Sequence, residues 1–263
     1  MIETRELTTA SELRRAIRAG RHTGPTAGLV PGFVQANVVI LPLAVATEFG
    51  DFCRLNSRPC PLIDQTEPGN PEPKRSAAGA DLRTDVPRYR VFRQGVAEPI
   101  EPTDVLSLWR DDLVGFLLGC SFTFERALLE AGLPVRHIEL GRNVPMFRTS
   151  VSCRPAGRFA GPLVVSMRPY RPDQVERVRE ITGRYPTMHG EPVHIGDPLK
   201  LGIVDIARPD FGDPVPIEPD EVPVFWACGV TPQLALEAAK PELAITHSPG
   251  CMFVTDLRED TDA

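Results

Sequence analysis

No apolar run in this sequence approaches the roughly 18–20 residues that a helix needs to cross a bilayer, so no membrane partner is expected. Positive charge is not in surplus either. Twenty-nine Lys and Arg stand against 35 Asp and Glu, a net charge of −6, which speaks against a general nucleic-acid partner. The opening Met1 to Glu6 lacks the basic and apolar regions of a secretion signal. The six cysteines (Cys53, Cys60, Cys120, Cys153, Cys228 and Cys251) include no Cys-x-x-Cys pair and no zinc-type Cys/His cluster. Reduced, mostly buried thiols in a cytoplasm are therefore expected, with no metal and no cofactor. The glycine-studded stretch from Gly20 to Gly32 lacks the Gly-Lys-Ser/Thr ending of a phosphate-binding loop. Nothing like Gly-x-Ser-x-Gly marks a hydrolase nucleophile.

Proline, by contrast, is plentiful. There are 28 prolines in 263 residues, about twice the usual share of roughly 5%, and their even spread predicts many short, stiff loops. The length and a hydrophobic content of 42% fit one large domain or two unequal ones. Thr9 to Glu12 reads as a capping box before Leu13, Ala16 and Ile17, with Gly20 as the stop. Pro42 is placed to open a helix reaching about Leu55. Residues 64–87, broken by four prolines, read as a functional loop or a flap. Arg88 to Arg93 alternates like a strand that turns at Gln94-Gly95.

Leu113 to Leu118 is apolar without alternation, meets Gly119-Cys120-Ser121, and passes into a helix from Phe122 to Ala131. Val222 to Ala227 likewise leads into Cys228-Gly229-Val230 and a helix opened by Thr231-Pro232. Leu243 to Thr246 reads as another strand, ending in His247-Ser248. Two strand–glycine–helix passages predict an α/β protein with a mainly parallel mixed sheet and flanking helices. Strand-like Arg136 to Leu140, Phe147 to Cys153 and Leu163 to Arg168, then a helix from about Pro172 to Arg184, predict a smaller inserted α+β two-layer subdomain. Its bounds are read as 135–190, with 1–134 and 191–263 forming the main domain.

In open α/β sheets, ligands bind beyond the carboxyl ends of strands, where helix N-termini offer free N–H groups. Three turns fall there: Gly119-Cys120-Ser121, Cys228-Gly229-Val230-Thr231 and Thr246-His247-Ser248. Together they predict a site for a small acidic metabolite, with His247 in proton transfer. Cys120 and Cys228 as core fillers, with Ser121 and Thr231 as plain helix caps, is the structural alternative. Arg110, beside Asp111 and Asp112, is a candidate clamp for a substrate carboxylate. Gln35 and Asn37 interrupt an apolar segment and are expected to bind a loop or a ligand. His189, His194 and Asp197 offer a metal only a weak pattern, and His137 reads as structural. A homo-oligomer is compatible with the sequence.

Several stretches resemble the bacterial hydro-lyase family also called the D-glutamate cyclase family. They are Gly32 to Asn37, Gly79 to Asp85, Leu108 to Leu113, Leu118 to Phe122, Asn143 to Met146, Val193 to Pro198, Phe225 to Pro232 and Ile245 to Gly250. They span residues 24 to 256, with one departure at Cys251, where the resemblance leads to His. The resemblance implies a cytoplasmic α/β carbon–oxygen lyase of two subdomains that removes water from D-glutamate to close 5-oxo-D-proline. It carries no catalytic residues over. That chemistry fits the derived site. His247 takes the ammonium proton, Asp111 or Glu125 acts as acid if burial raises its pKa, N–H groups of Ser121 and Gly229 hold the oxyanion, and Arg110 holds the α-carboxylate. A thioester on Cys120 or Cys228 is the second route. A metal-assisted dehydratase and a non-catalytic binding module for an acidic metabolite are the alternative readings.

Overall fold

The computed structural model describes residues 7–26 and 28–259; the Met1 to Glu6 segment behind the leader expectation lies outside them. Among the described residues eleven strands are formed: β1 (Phe33–Pro42), β2 (Leu62–Gln65), β3 (Tyr89–Arg93), β4 (Val96–Ala97), β5 (Leu113–Leu118), β6 (Met146–Ser152), β7 (Pro162–Tyr170), β8 (His194–Ile195), β9 (Val222–Ala227), β10 (Leu243–His247) and β11 (Phe253–Arg258). In the same residues six α-helices accompany them: α1 (Ala10–Arg18), α2 (Leu43–Leu55), α3 (Phe122–Glu130), α4 (Arg136–Glu139), α5 (Pro172–Gly183) and α6 (Val230–Ala239). No helix among the described residues is long and apolar enough to cross a membrane.

One sheet runs β2-β5-β1-β10-β3-β4, with β11 also pairing β1; the other runs β6-β7-β9-β8. Every pairing between these strands is antiparallel. The α/β class stands, but the mainly parallel sheet does not. An apolar run reports burial on both faces and says nothing of strand direction. On one face of the first sheet, Phe49 and Phe52 of α2 and Leu236 of α6 pack with Val39, Leu41 and Phe116. On the other, Ala77, Leu82, Val86 and Tyr89 pack with Val38, Ile40, Leu117 and Ile245.

That second layer belongs to residues 64–87, which form a packed cover and not a flap. Asp64 pins it, accepting from the N–H of Arg75 (3.1 Å) and from the N–H and hydroxyl of Ser76 (both 2.9 Å). In the smaller layer, the expected first strand is the short helix α4. Its alternation points Ile138 and Leu140 outward, 46% and 44% exposed, while His137 turns inward. A buried polar contact outweighed the strand-like pattern. The second sheet also reaches past residue 190, because β8 and β9 complete it.

Local signals held well. The N-terminal box closes as read, with Glu12 N–H donating to Thr9 Oγ1 (3.2 Å) and Thr9 N–H to Glu12 Oε2 (3.0 Å). Pro42 caps α2 from one position earlier than expected. Gln94 (φ 51°) and Gly95 (φ 78°) make the tight turn between β3 and β4, the left-handed pair that suits strand twist.

Candidate functional site

The antiparallel registers bring three distant turns to one side chain. Asn37 on β1 faces Leu118 at the end of β5, and β10 runs along the other side of β1 towards His247. The Asn37 amide Nδ2 donates to the Gly119 carbonyl (3.0 Å) and, at longer range, to that of Leu118 (3.4 Å). Its Oδ1 lies 3.0 Å from Nε2 of His247. On its third side stands Gly229, where an added Cβ would come within 2.9 Å of Nδ2. So the turns at 119–121, 228–231 and 246–248 do meet, with Asn37 as their hub.

This network fixes the state of His247. Only the amide end of Asn37 can donate to a carbonyl, so Oδ1 faces the imidazole as an acceptor. Nε2 must then carry the hydrogen, leaving the lone pair on Nδ1. That nitrogen is enclosed and has no partner. Burial, reinforced by the positive charge of Arg90, pushes the His247 pKa down to about 4. At neutral pH the residue is an uncharged imidazole with its basic nitrogen free.

A second histidine is held the same way. His189 is buried in a left-handed conformation (φ 77°), a strained state that surrounding structure must impose. Its Nδ1 donates to the Arg58 carbonyl (2.7 Å), and its Nε2 is enclosed without a partner. Burial pushes its pKa down to about 4 as well, the N–H donation to Arg58 only partly opposing this. The chain just before it closes on the 119–121 turn. A Cβ at Gly119 would stand 1.8 Å from the Thr187 carbonyl oxygen and 2.8 Å from Met188 Sδ. Gly119→Ala is therefore expected to destabilise the fold by about 1–3 kcal/mol, read as a lower urea midpoint. An unchanged midpoint would refute this packing.

The two histidines also set an acid limit. Each binds a proton in the unfolded chain near pH 6.5 but in the folded protein only near pH 4. Their contribution is thus intact above pH 6.5 and lost as pH falls towards 4, at most about 3 kcal/mol each. Melting temperature should decline across this window, and His189→Gln should flatten the decline. An equally steep decline in the variant would count against it.

Beneath the 119–121 turn lies a buried ion cluster. Arg168 on β7, 1% exposed, donates to Glu125 on α3, to Ser166 Oγ (3.0 Å) and to Ser121 Oγ (3.2 Å). Its guanidinium lies 5.2 Å from the ring centres of both Phe124 and Trp226. His137 Nε2 completes the cluster at 3.2 Å from Glu125 Oε1. Burial raises the Glu125 pKa, but Arg168 and His137 outweigh it and the net shift is downward. Glu125 is therefore a carboxylate and not the expected general acid. Ser121 uses its hydroxyl on Arg168 and makes no side-chain cap. Arg168 escaped the sequence reading, although a charge inside the apolar run from Leu163 to Tyr170 was a signal that it needs a buried partner.

The two cysteines of the turns precede the N-termini of α3 and α6, and Cys228 is packed as a core filler with Val144, Met146, Val164 and Leu234. Burial pushes Cys120 up to about 12 and Cys228 to about 11, so both are neutral thiols at neutral pH. That removes the thiolate which a thioester route needs.

Other candidates lie elsewhere or are occupied. Arg110 and Asp111 are exposed at the start of β5, about 20 Å of strand from Gly119. Arg110 pairs with Asp112 (2.9 Å) and faces Glu242 (3.6 Å), at the end of β10 away from His247. A cation beside two carboxylates is here a surface cluster and not a substrate clamp. Gln35 spends both amide ends on Thr26 (2.9 Å each). Thr231 Oγ1 accepts from Val164 N–H (3.0 Å), tying α6 to β7. Both side chains thus serve to tie chain segments together. His194 donates to the Asp197 carbonyl (2.8 Å), whereas His189 turns to Arg58. No group of three His, Cys, Asp or Glu residues arranged to hold a metal occurs among the described residues.

Residues 114–256 match the family described as D-glutamate cyclase. The chain is 62% identical to a protein of Rubrobacter xylanophilus named "Putative hydro-lyase", over 95% of this chain and 96% of that one. Proteins of the same name from Bacillus licheniformis (59%; 95% of each chain) and Stutzerimonas stutzeri (55%; 97% of this chain and 96% of that one) are similar over comparable lengths. Among solved structures, a nitrogen repressor-like protein of Methanococcus jannaschii aligns with 90% of this chain and 92% of its own. Its TM-score of 0.40 and 10% identity carry no argument.

Proposed function

Because this chain belongs to the D-glutamate cyclase family of hydro-lyases, enzymes that cleave a carbon–oxygen bond, we propose that it closes D-glutamate to 5-oxo-D-proline at the Asn37 hub. The observation that carries this reading is the free, enclosed Nδ1 of His247, its tautomer set by Asn37. The reaction moves two protons from the substrate nitrogen to an oxygen of the γ-carboxyl and releases that oxygen as water. A single imidazole suffices to shuttle them. Nδ1 takes a proton from the ammonium group, the freed amine attacks the γ-carbon, and the imidazolium returns the proton to the departing oxygen. A base whose pKa is depressed in the free enzyme gains strength on binding, because the incoming carboxylates raise it.

The N–H groups at the openings of α3 and α6, near Ser121 and Gly229, suit the tetrahedral oxyanion and the α-carboxylate. Glycine at 119 and 229 is part of this arrangement, since a side chain at either would meet Thr187 or Asn37. Arg168 supports the floor through Ser121. The direct test incubates purified protein with D-glutamate and follows 5-oxo-D-proline by chiral chromatography; no conversion above the buffer rate would sink the reading. Arg110→Ala serves as its internal control. Turnover is expected to stay within about twofold of the parent, as for a surface substitution, and a large loss would place the substrate at the wrong end of β5.

A further inference from the structure

A cleft of about 380 Å³ opens to solvent beside β6, within the roughly 300–1,000 Å³ that small-molecule sites occupy. It lies away from the Asn37 hub. Side chains alternate along a strand, so Met146 and Val164 pack with Cys228, whereas Phe147 and Val165 pack on the opposite face of the second sheet. The cleft is built on that opposite face, with Phe147 and Ile203, both buried, as its apolar floor.

Its wall comes from the long connection between β8 and β9, residues 196–221, which holds one short 3-10 turn, Pro198–Leu201. Connections of this length in a compact protein are usually functional. β6 pairs β7 along one edge, and the connection arches over the other. At one end Met146 and Phe211 exchange backbone hydrogen bonds (2.9 and 3.1 Å). At the other, Gly202 lies so close to Ser150 that an added Cβ would stand 2.8 Å from the serine Cβ. The chain closes both ends and leaves a bowl between them.

Four charged residues line the bowl: Arg148, Arg208, Asp205 and Asp210. Elsewhere in this protein an arginine and an aspartate two or three positions apart pair, as Arg83 does with Asp81, Arg110 with Asp112 and Arg54 with Asp51. Here, among the described residues, none of the four joins an ion pair. Each carboxylate is held by the backbone instead. Asp210 Oδ2 accepts from Arg148 N–H (2.8 Å) and Asp205 Oδ1 from Ala207 N–H (3.0 Å), so each has a second oxygen to offer. The Arg148 guanidinium is set over the Phe211 ring, 5.2 Å from its centre.

We propose that this bowl is a second binding site, for a free amino acid in its zwitterionic form. The guanidiniums take the carboxylate, the oriented aspartates take the ammonium, and Phe147 and Ile203 take the aliphatic stem. A lactam, whose nitrogen carries no charge, satisfies one half of the site only. The bowl therefore reads the open-chain amino acid, whatever the chemistry at His247.

Hydrogen–deuterium exchange of the intact protein, read by mass spectrometry with L-glutamate and separately with D-glutamate, tests this. Backbone amides in 146–151 and 202–211 are expected to exchange more slowly with at least one enantiomer. The effect should weaken as salt is raised, since exposed charges are screened. Arg208→Ala and Asp205→Asn should each require at least ~10-fold more glutamate for the same protection, at the parent's melting temperature. N-acetylglutamate, which lacks the ammonium, should leave both segments unprotected. Unchanged exchange with both enantiomers overturns the site, and so does equal protection by N-acetylglutamate. Protection that grows with protein concentration and needs no amino acid also overturns it, and makes the bowl a contact between copies of the chain. Because the readout is local, D-glutamate turnover without protection here removes the second site and leaves the cyclase reading standing. Protection without turnover does the reverse.

Discussion

His247→Ala should lower D-glutamate conversion at least ~100-fold while leaving the melting temperature close to that of the parent. The imidazole is half-buried at the end of β10, and its one hydrogen bond in the chain is to Asn37, so its removal leaves a single acceptor to find water. Asn37→Asp provides the discriminating companion. A carboxylate still accepts the Nε2 hydrogen and keeps the tautomer, but it cannot donate to the Gly119 carbonyl, and its charge favours the imidazolium. The acid limb of kcat/KM, expected near pH 4 in the free parent enzyme from the depressed His247, should therefore move upward. At a pH between the old limb and the new one, the variant loses activity that the parent retains. Parent-like kinetics in His247→Ala, or an acid limb unmoved in Asn37→Asp, would end the assignment of Nδ1 as the base.

The largest stability effect is expected at Arg168. Arg168→Met removes the cation from a carboxylate that is 4% exposed and takes away the donors that hold Ser121 and Ser166. Breaking a buried pair by removing one partner typically costs about 3–5 kcal/mol, since the remaining charge is left without compensation. Adding Glu125→Gln to Arg168→Met should recover stability relative to the single variant, because the orphaned charge is gone. Urea denaturation of the parent and the two variants measures both the loss and the recovery. A single-variant loss below about 1 kcal/mol would mean that the cluster behaves as a surface pair.

Much of the local structure was legible because it depends on short stretches of chain. β5, β9 and β10 fall where continuous apolar runs were bounded by glycine or polar turns, and α3, α5 and α6 follow their proline and glycine punctuation. The capping box at Thr9 and the Gln94-Gly95 turn needed only four residues each. Strand direction was not legible, since Leu113 to Leu118 is buried on both faces by α2 on one side and by residues 77–91 on the other, a condition that antiparallel neighbours satisfy as well as parallel ones. α4 was misread for a related reason: its apolar residues face solvent and its histidine faces Glu125, a residue of another helix.

The site divides along the same line. That residues 119–121, 228–231 and 246–248 would be strand-end turns, and that they would resemble one family of lyases, was settled by the order of residues alone. Which polar groups remain free at those turns was decided by the tertiary structure. Thr231 and Gln35 are consumed by Val164 and Thr26, Arg110 is carried to the far end of β5, and Glu125 is held as a carboxylate by an arginine 43 positions away. Asn37 and His247 are 210 positions apart, and only the pairing of β1 with both β5 and β10 gives the imidazole its tautomer. Propensity acts over a few residues, whereas burial, charge compensation and hydrogen-bond direction belong to neighbours that the chain brings together only on folding.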